Sequence, residues 1–323
     1  MLQPLLIPMC LSLALGPGDG AAPKAVEPPK PAAELTDKYA VEHVKLTILS
    51  ERQAIWPGGS VDIALRFSII PKWHLYWRGQ NDTGFAPDVT WTLPKGYAAG
   101  ETIWPVPKRH ISPGDLLDHV YYNELLLITT ITAPADAKPG ASVKFSADAK
   151  WLVCEDACVP ESGKVSIELP VVAGEGLSSP SKDVELFTLA RRAAPKSLIA
   201  PKSDKPEAPG WNKPVMPSEP GVFSTRWEGT TLVISAADKN DRLAFMPDAD
   251  GATALNLLKS GSSKTGTLRL DFEPGDSKKP VMGMVVVVDH DEARKNAYLI
   301  KLALPNASEP TKPTPGTTAP IKK

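Results

Sequence analysis

Between its proline-rich segments this chain is written almost entirely in period two. VKLTILS (44–50), GGSVDIALRFSI (58–69), PDVTWTLP (87–94), ELLLITTITA (124–133), ASVKFSADAKWLV (141–153) and KVSIELPVV (164–172) alternate or run apolar over strand lengths, with Pro/Gly-rich turns between them. Many short strands at that spacing predict an all-β fold, an immunoglobulin-like β-sandwich over 40–173. TTLVISA, RLAFMPD, GTLRLDF, VMGMVVVVD and AYLIKLALP form a second set, predicting a smaller β-rich domain over 222–304. Six of the eight tryptophans fall in the first set, at 56, 73, 77, 91, 104 and 151, where strand packing is their expected role.

Prolines mark the connections. Residues 23–39 read as a linker, seven prolines lie between Pro195 and Pro220, and the 305–323 tail is built of Pro, Thr and Lys. Within 174–221, KDVELFTLARR (182–192) places Val184, Phe187 and Leu189 or Ala190 near helical spacing, with arginines where the helix dipole favours them. A short helix closing the first domain, followed by a Pro-rich linker, is expected there.

Residues 1–22 open on an apolar run, Leu5 to Leu15, followed by small residues and helix breakers. This is the outline of a secretory signal, with an N-terminal anchor or a mis-assigned start as the other readings, since no positive charge precedes the run and Pro8 interrupts it. Cys10 belongs to that run and would leave with it. No later run reaches the length needed to cross a bilayer, so the mature chain is expected to be soluble and exported, without a transmembrane segment. A net charge of −1 and a pI near 6.5 supply no basic field for nucleic acid or anionic lipid.

Export would leave Cys154 and Cys158 as the only thiols, in a compartment where a disulfide persists. Val143, Phe145, Ala147, Ala149, Trp151 and Val153 share one strand parity, and Lys144, Ser146, Asp148, Lys150 and Cys154 share the other. Cys158 takes the same polar face if the pleat runs back through the turn, and Leu152 stands out of pattern. The spacing predicts a hairpin with Glu155-Asp156-Ala157 at its tip and the cysteines in bridging range. A ring this small stabilises by roughly 2 kcal/mol, and the acidic neighbours raise rather than lower a thiol pKa. Partner-guided redox exchange, a local staple and metal binding all remain open on these grounds.

PKWHLYW (71–77), WTLPKGYAAGETIWPVPKR (91–109), VYYNELLLITTI (120–131) and WLVCEDACVPE (151–161) occur here in one order. Together they resemble the N-terminal periplasmic domain of the thiol:disulfide interchange protein DsbD and its relatives linked to copper tolerance, over about 40–173. The resemblance implies an immunoglobulin-like domain whose cysteine pair shuttles electrons from a membrane-embedded thiol reductase to periplasmic thioredoxin-like proteins. It implies that Cys158 exchanges with partners and Cys154 resolves the mixed disulfide. It also implies a cap loop over the pair, for which Asp118, His119, Val120, Tyr121 and Tyr122 are the counterpart, with Tyr121 and Tyr122 as the shield. Full-length relatives continue into a membrane domain and a thioredoxin-like domain; this sequence carries neither, so separate proteins are expected to complete the relay.

The other constellations are weaker. The five histidines, His43, His74, His110, His119 and His290, lack HExxH-type spacing, and only His110 and His119, flanking the expected cap, offer a Cys2His copper or zinc alternative. Asp289-His290-Asp291-Glu292 reads as a turn, and no phosphate-binding glycine loop is present. No cofactor is expected. The competing functional class is a non-catalytic periplasmic binding or assembly module that keeps the disulfide as a staple.

Overall fold

The computed structural model describes residues 42–197, 222–276, 278–288 and 294–305. The expected signal, the 23–39 linker, the tail beyond residue 305, most of the Pro-rich connection and the 289–292 cluster lie outside them. The first ten strands are β1 (Val44–Ser50), β2 (Ser60–Ile69), β3 (His74–Tyr76), β4 (Asp88–Thr92), β5 (Ala98–Ile103), β6 (Lys108–Ser112), β7 (Leu116–Tyr122), β8 (Glu124–Thr132), β9 (Ser142–Cys154) and β10 (Cys158–Pro170). One sheet runs β1-β2-β8-β5; the other runs β10-β9-β3-β7-β6, with β4 also paired to β9.

These two sheets face each other as an immunoglobulin-like sandwich. Alternation decides what lies between them: Leu65, Phe67, Leu125 and Leu127 from one sheet meet Ala147, Ala149, Trp151 and Val153 from the other. Phe67 and Trp151 pack edge to face, with centroids 5.3 Å apart. Of the six tryptophans, Trp77 and Trp151 are buried and the other four are partly exposed.

The helical spacing at 182–192 forms α1 (Val184–Ala193). Its buried Phe187 packs on Ala64, Leu126 and Ile128, on the outer face of the first sheet. Near its C-terminus Arg191 donates to Glu51 Oε1 at 2.8 Å and to Asp62 Oδ2 at 2.6 Å. The helix is therefore fixed by one aromatic anchor and one arginine fork.

The remaining strands are β11 (Lys196–Ser197), β12 (Phe223–Glu228), β13 (Thr231–Ala236), β14 (Arg242–Pro247), β15 (Ser262–Ser263), β16 (Thr267–Leu270), β17 (Val281–Val288) and β18 (Arg294–Leu302), with a single helical turn, α2 (Leu257–Ser260), before β15. They form one sheet ordered β11-β18-β17-β14-β15 and a second ordered β12-β13-β16.

β17 reads VMGMVVVV, apolar at every side chain, because both of its faces are covered. Val281, Val285 and Val287 face Leu232, Ile234, Phe245 and Leu268 in a core of the second β unit. Met282, Met284 and Val286, with Met246, Ala297 and Leu299, join instead the cluster that contains Leu75, Trp77 and Tyr121 of the sandwich. The two β units thus share a hydrophobic core.

At this seam the backbones approach closely at Gly79, which bridges Asp248. A Cβ added there would lie 2.0 Å from Trp77 Cζ3 and 2.4 Å from the Pro247 carbonyl oxygen. We therefore expect Gly79→Ala to destabilise the folded chain by about 1–3 kcal/mol, read as a lower urea midpoint. An unchanged midpoint would show that the seam yields freely.

Candidate functional site

The cysteine pair sits at the end of the longest ladder in the sandwich. β9 and β10 pair antiparallel over thirteen residues without a shift, from Ser142↔Pro170 to Cys154↔Cys158. Uninterrupted register leaves three residues for the turn, where the Glu155 N–H donates to the Ala157 carbonyl at 3.2 Å. The cysteines are the last cross-strand rung, their Cα atoms 4.1 Å apart, and they form a disulfide.

Glu161 ties the hairpin to the start of the domain. Its carboxylate accepts from Trp151 Nε1 at 3.1 Å on the paired strand and from the backbone N–H of His43 at 3.0 Å. His43 Nδ1 lies 2.6 Å from the same carboxylate, and its ring stacks on Trp73 at 3.8 Å. The hairpin tip is held by its base.

The parity argument places Cys154 opposite Val153, and the structure keeps that alternation but not the expected exposure. Cys154 is 2% exposed, because Tyr76, Val120, Leu152 and Tyr122 make a small apolar cluster on the outer face at that point. Leu152 breaks the sequence pattern for the same reason. Cys158 is exposed. Cys154 is covered, whereas Cys158 is an exposed residue whose Sγ lies 3.8 Å from the Tyr76 hydroxyl.

The expected cap requires a correction. Asp118, His119, Val120, Tyr121 and Tyr122 are not a loop: they lie within β7, a strand paired on both sides, with Tyr76↔Val120 and His74↔Tyr122 across β3. β7 pairs with β6 over Leu116–Val120 and with β3 over Val120–Tyr122. Val120 packs on Cys154, with Tyr122 beside it. Tyr121 points to the opposite face, buried in the sandwich core with its hydroxyl donating to the Pro105 carbonyl at 2.7 Å.

Sequence reasoning passed over β3, although PKWHLYW was among the quoted motifs. Its alternation puts His74 and Tyr76 on the face of the disulfide, and His74 is paired with Cys154 itself. The Tyr76 hydroxyl is 3.8 Å from Cys158 Sγ, 3.1 Å from Thr83 Oγ1 and 3.4 Å from His74 Nε2. Thr83 in turn donates to Asp118 Oδ2 at 2.6 Å, and Asp118 Oδ1 accepts the backbone N–H groups of Asp82 and Thr83 at 3.0 Å each. Asp118 is 1% exposed, so these bonds are what let a carboxylate sit there. A row of aromatic residues in β-type sequence signals packing, and nothing in it says which ring meets a sulfur.

His110 Nδ1 lies 2.8 Å from the Tyr122 hydroxyl, and its ring is 5.0 Å from that of His74. His119 is on the other face, against Trp77, with Nδ1 donating to the Gln80 carbonyl at 2.9 Å. His110 and His119 thus lie on opposite faces of the sheet. Among the described residues no group of three or more His, Cys, Asp or Glu is placed to hold a metal ion.

Burial holds His74 neutral, with a pKa lowered to about 4; neighbouring His110 adds to the shift and Asp118 opposes it. Burial also lowers His119 to about 4, opposed by its bond to the Gln80 carbonyl. Burial raises the phenol pKa values of Tyr76 and Tyr122, so both keep their protons at neutral pH.

The family model of the N-terminal domain of the thiol:disulfide interchange protein DsbD matches residues 45–170. Among solved structures, the N-terminal periplasmic domain of ScsB from Proteus mirabilis is similar at 14% identity and a TM-score of 0.49, covering 82% of this chain and 95% of that one. The N-terminal domain of Neisseria meningitidis DsbD in the reduced form is similar at 12% identity and a TM-score of 0.25, covering 43% of this chain and 91% of that one. A comparison with curated proteins found no match. The family match and the Cys154–Cys158 disulfide support thiol–disulfide exchange as the general chemistry of the site.

Because His74 and His119 each fall from the ordinary 6.5 to about 4 on folding, the unfolded chain binds more protons between those values. Stability present above pH 6.5 is therefore expected to fall as pH drops towards 4, read from urea midpoints across that range. His74→Gln should flatten the slope. A midpoint independent of pH over this interval would contradict the buried neutral state of both rings.

Proposed function

Taking residues 45–170 as a member of the DsbD N-terminal domain family, we propose that Cys154 and Cys158 relay electron pairs from a membrane-embedded thiol reductase to periplasmic thioredoxin-like proteins. The chain would be exported to the periplasm, a compartment where a disulfide persists. Among the described residues no helix is long and apolar enough to cross a membrane.

The observation that carries the mechanism is the unequal burial of the two cysteines, with Cys154 2% exposed and Cys158 an exposed residue. In the oxidised chain a donor thiolate attacks Cys158 Sγ, the bond to Cys154 breaks, and Cys154 leaves as a thiolate that takes up a proton. The donor's second thiolate then attacks the donor sulfur of the mixed disulfide. That step forms the donor disulfide and releases Cys158, so the chain holds two electrons as a dithiol.

In the second half Cys158, as thiolate, attacks a client disulfide and the client's other sulfur leaves. Cys154 loses its proton and attacks Cys158 Sγ. The chain disulfide re-forms and the reduced client departs. Attack on a 2%-exposed sulfur would require opening the cluster of Tyr76, Val120 and Leu152, so the roles of the two cysteines follow from access.

The experiment is partner trapping. Cys154→Ser should accumulate mixed disulfides with thioredoxin-like partners, because removing the resolving thiol blocks dissociation, whereas Cys158→Ser should trap far less. Equal trapping would remove the assigned roles, and trapping by neither would favour a binding or assembly module with a structural bond.

The disulfide itself should contribute little to stability. Replacing both cysteines with serine should cost about 2 kcal/mol, the chain-entropy value for so short a loop, and abolish exchange while the fold survives. The measurement is a urea titration beside a reduction assay. Complete unfolding of the double variant would instead mark the bond as a staple.

A further inference from the structure

The residues 78–83 that follow β3 are held from two sides. The second β unit grips the first half: Arg78 Nε donates to Asp248 Oδ2 at 2.9 Å, and the Gln80 backbone N–H donates to the Pro247 carbonyl at 2.9 Å. The Gln80 side chain donates to the Ala252 carbonyl at 3.0 Å and accepts from the Ala254 N–H at 3.1 Å. β7 grips the second half, where Asn81 Oδ1 accepts from the His119 N–H at 2.8 Å and Asp118 takes the bonds from Asp82 and Thr83. This double grip places the Thr83 hydroxyl on Tyr76.

A hydroxyl has one proton to give. Thr83 gives its own to Asp118, which as a carboxylate only accepts, so towards Tyr76 the Thr83 oxygen is an acceptor. It is also the nearest acceptor for the Tyr76 proton, at 3.1 Å against 3.4 Å for His74 Nε2 and 3.8 Å for Cys158 Sγ. With its proton turned to Thr83, Tyr76 offers a lone pair to the sulfur. A lone pair stabilises a thiol S–H and repels a thiolate.

We infer that Thr83, held by Asp118 and by the second β unit through Gln80, is a positioning residue that draws the Tyr76 proton away from Cys158 and keeps that sulfur a poor nucleophile until the 78–83 segment moves. Thr83 is itself exposed, so a docking protein can reach the segment that holds the proton. Once Thr83 withdraws, the Tyr76 O–H turns to the sulfur and donates to the thiolate. The second β unit thereby acquires a role in the exchange site. The inference deepens the relay proposed above, and it is testable without any protein partner.

The probe is iodoacetamide, with alkylation of Cys158 followed by peptide mass spectrometry in the full chain carrying Cys154→Ser. Thr83→Val should speed alkylation at neutral pH by up to about tenfold, the scale of one hydrogen bond to a charged group. Thr83→Ser, which keeps the hydroxyl, should stay at the parent rate. Tyr76→Phe, which removes the opposing lone pair together with the O–H, should be no slower than the parent, and Thr83→Val should gain nothing when combined with it.

Gln80→Ala, which leaves Thr83, Tyr76 and Asp118 in place, should accelerate alkylation in the same direction and serves as the second arm if Thr83→Val folds poorly. The other ionisable groups around the hairpin tip are common to all variants: Glu155, Asp156, Lys72, His74, His110 and Tyr122. An unchanged or slower rate in both Thr83→Val and Gln80→Ala would overturn the inference. So would an acceleration that persists with Tyr76→Phe, since that means simple unmasking of the sulfur. Because the probe is a small molecule, failure here is distinct from failure to trap a protein partner.

Discussion

The unbroken ladder between β9 and β10 is the constraint on which the site depends. Side chains alternate along a strand, so a slip of one residue would turn Trp151 and Val153 out of the core and carry Cys154 into it. The hydrophobic face forbids that slip, and thirteen paired positions then deliver the cysteines opposite one another with a three-residue turn between them. Glu161, bonded to Trp151 and to His43, fixes the same register from the polar side.

What the ladder does not fix is the difference between the two sulfurs. That difference arises because β3 and β7 bring Tyr76, Val120 and Tyr122 over one end of the outer face. The cluster covers Cys154 and reaches Cys158 only through the Tyr76 hydroxyl, 3.8 Å from its Sγ. An exposed cysteine joined to a covered one is a physical basis for an ordered exchange, since the incoming group reaches one more readily and the leaving thiol is retained beside it. The acidic residues of the turn, Glu155 and Asp156, disfavour a thiolate at the hairpin tip.

The second β unit enters this chemistry through packing. β17 is buried on both faces, and Met282 and Met284 extend the sandwich core across the seam. Once that face is shared, Asp248, Ala252 and Ala254 lie beside the segment after β3 and take its hydrogen bonds. A buried donor or acceptor left without a partner costs about 1–3 kcal/mol, so the segment adopts the conformation in which Arg78 and Gln80 are satisfied. Thr83 is set on Tyr76 as a consequence.

Much of the fold was legible because it is local. In the sandwich the period-two runs marked β1, β2, β4, β8, β9 and β10 but not β3, β5, β6 and β7, Phe187 and the arginines around 191 marked the helix, and the spacing of Cys154 and Cys158 marked a hairpin with a short bridge. The eight-residue apolar run at 281–288 already carried the mark of a strand covered on both sides, though it did not say by what. The expected loop at 118–122 failed for a related reason: a polar-aromatic stretch such as Asp118-His119-Val120-Tyr121-Tyr122 reads as exposed until the partners of Asp118 and His119 are known, and those partners lie some 35–40 residues away, at Thr83, Asp82 and Gln80. The sequence by itself determined which residues alternate, where the chain turns and that two cysteines meet. Only the tertiary structure decided which cysteine is covered and which tyrosine lies beside the other's sulfur, because burial and hydrogen bonding are set by neighbours that strand pairing brings together from distant parts of the chain.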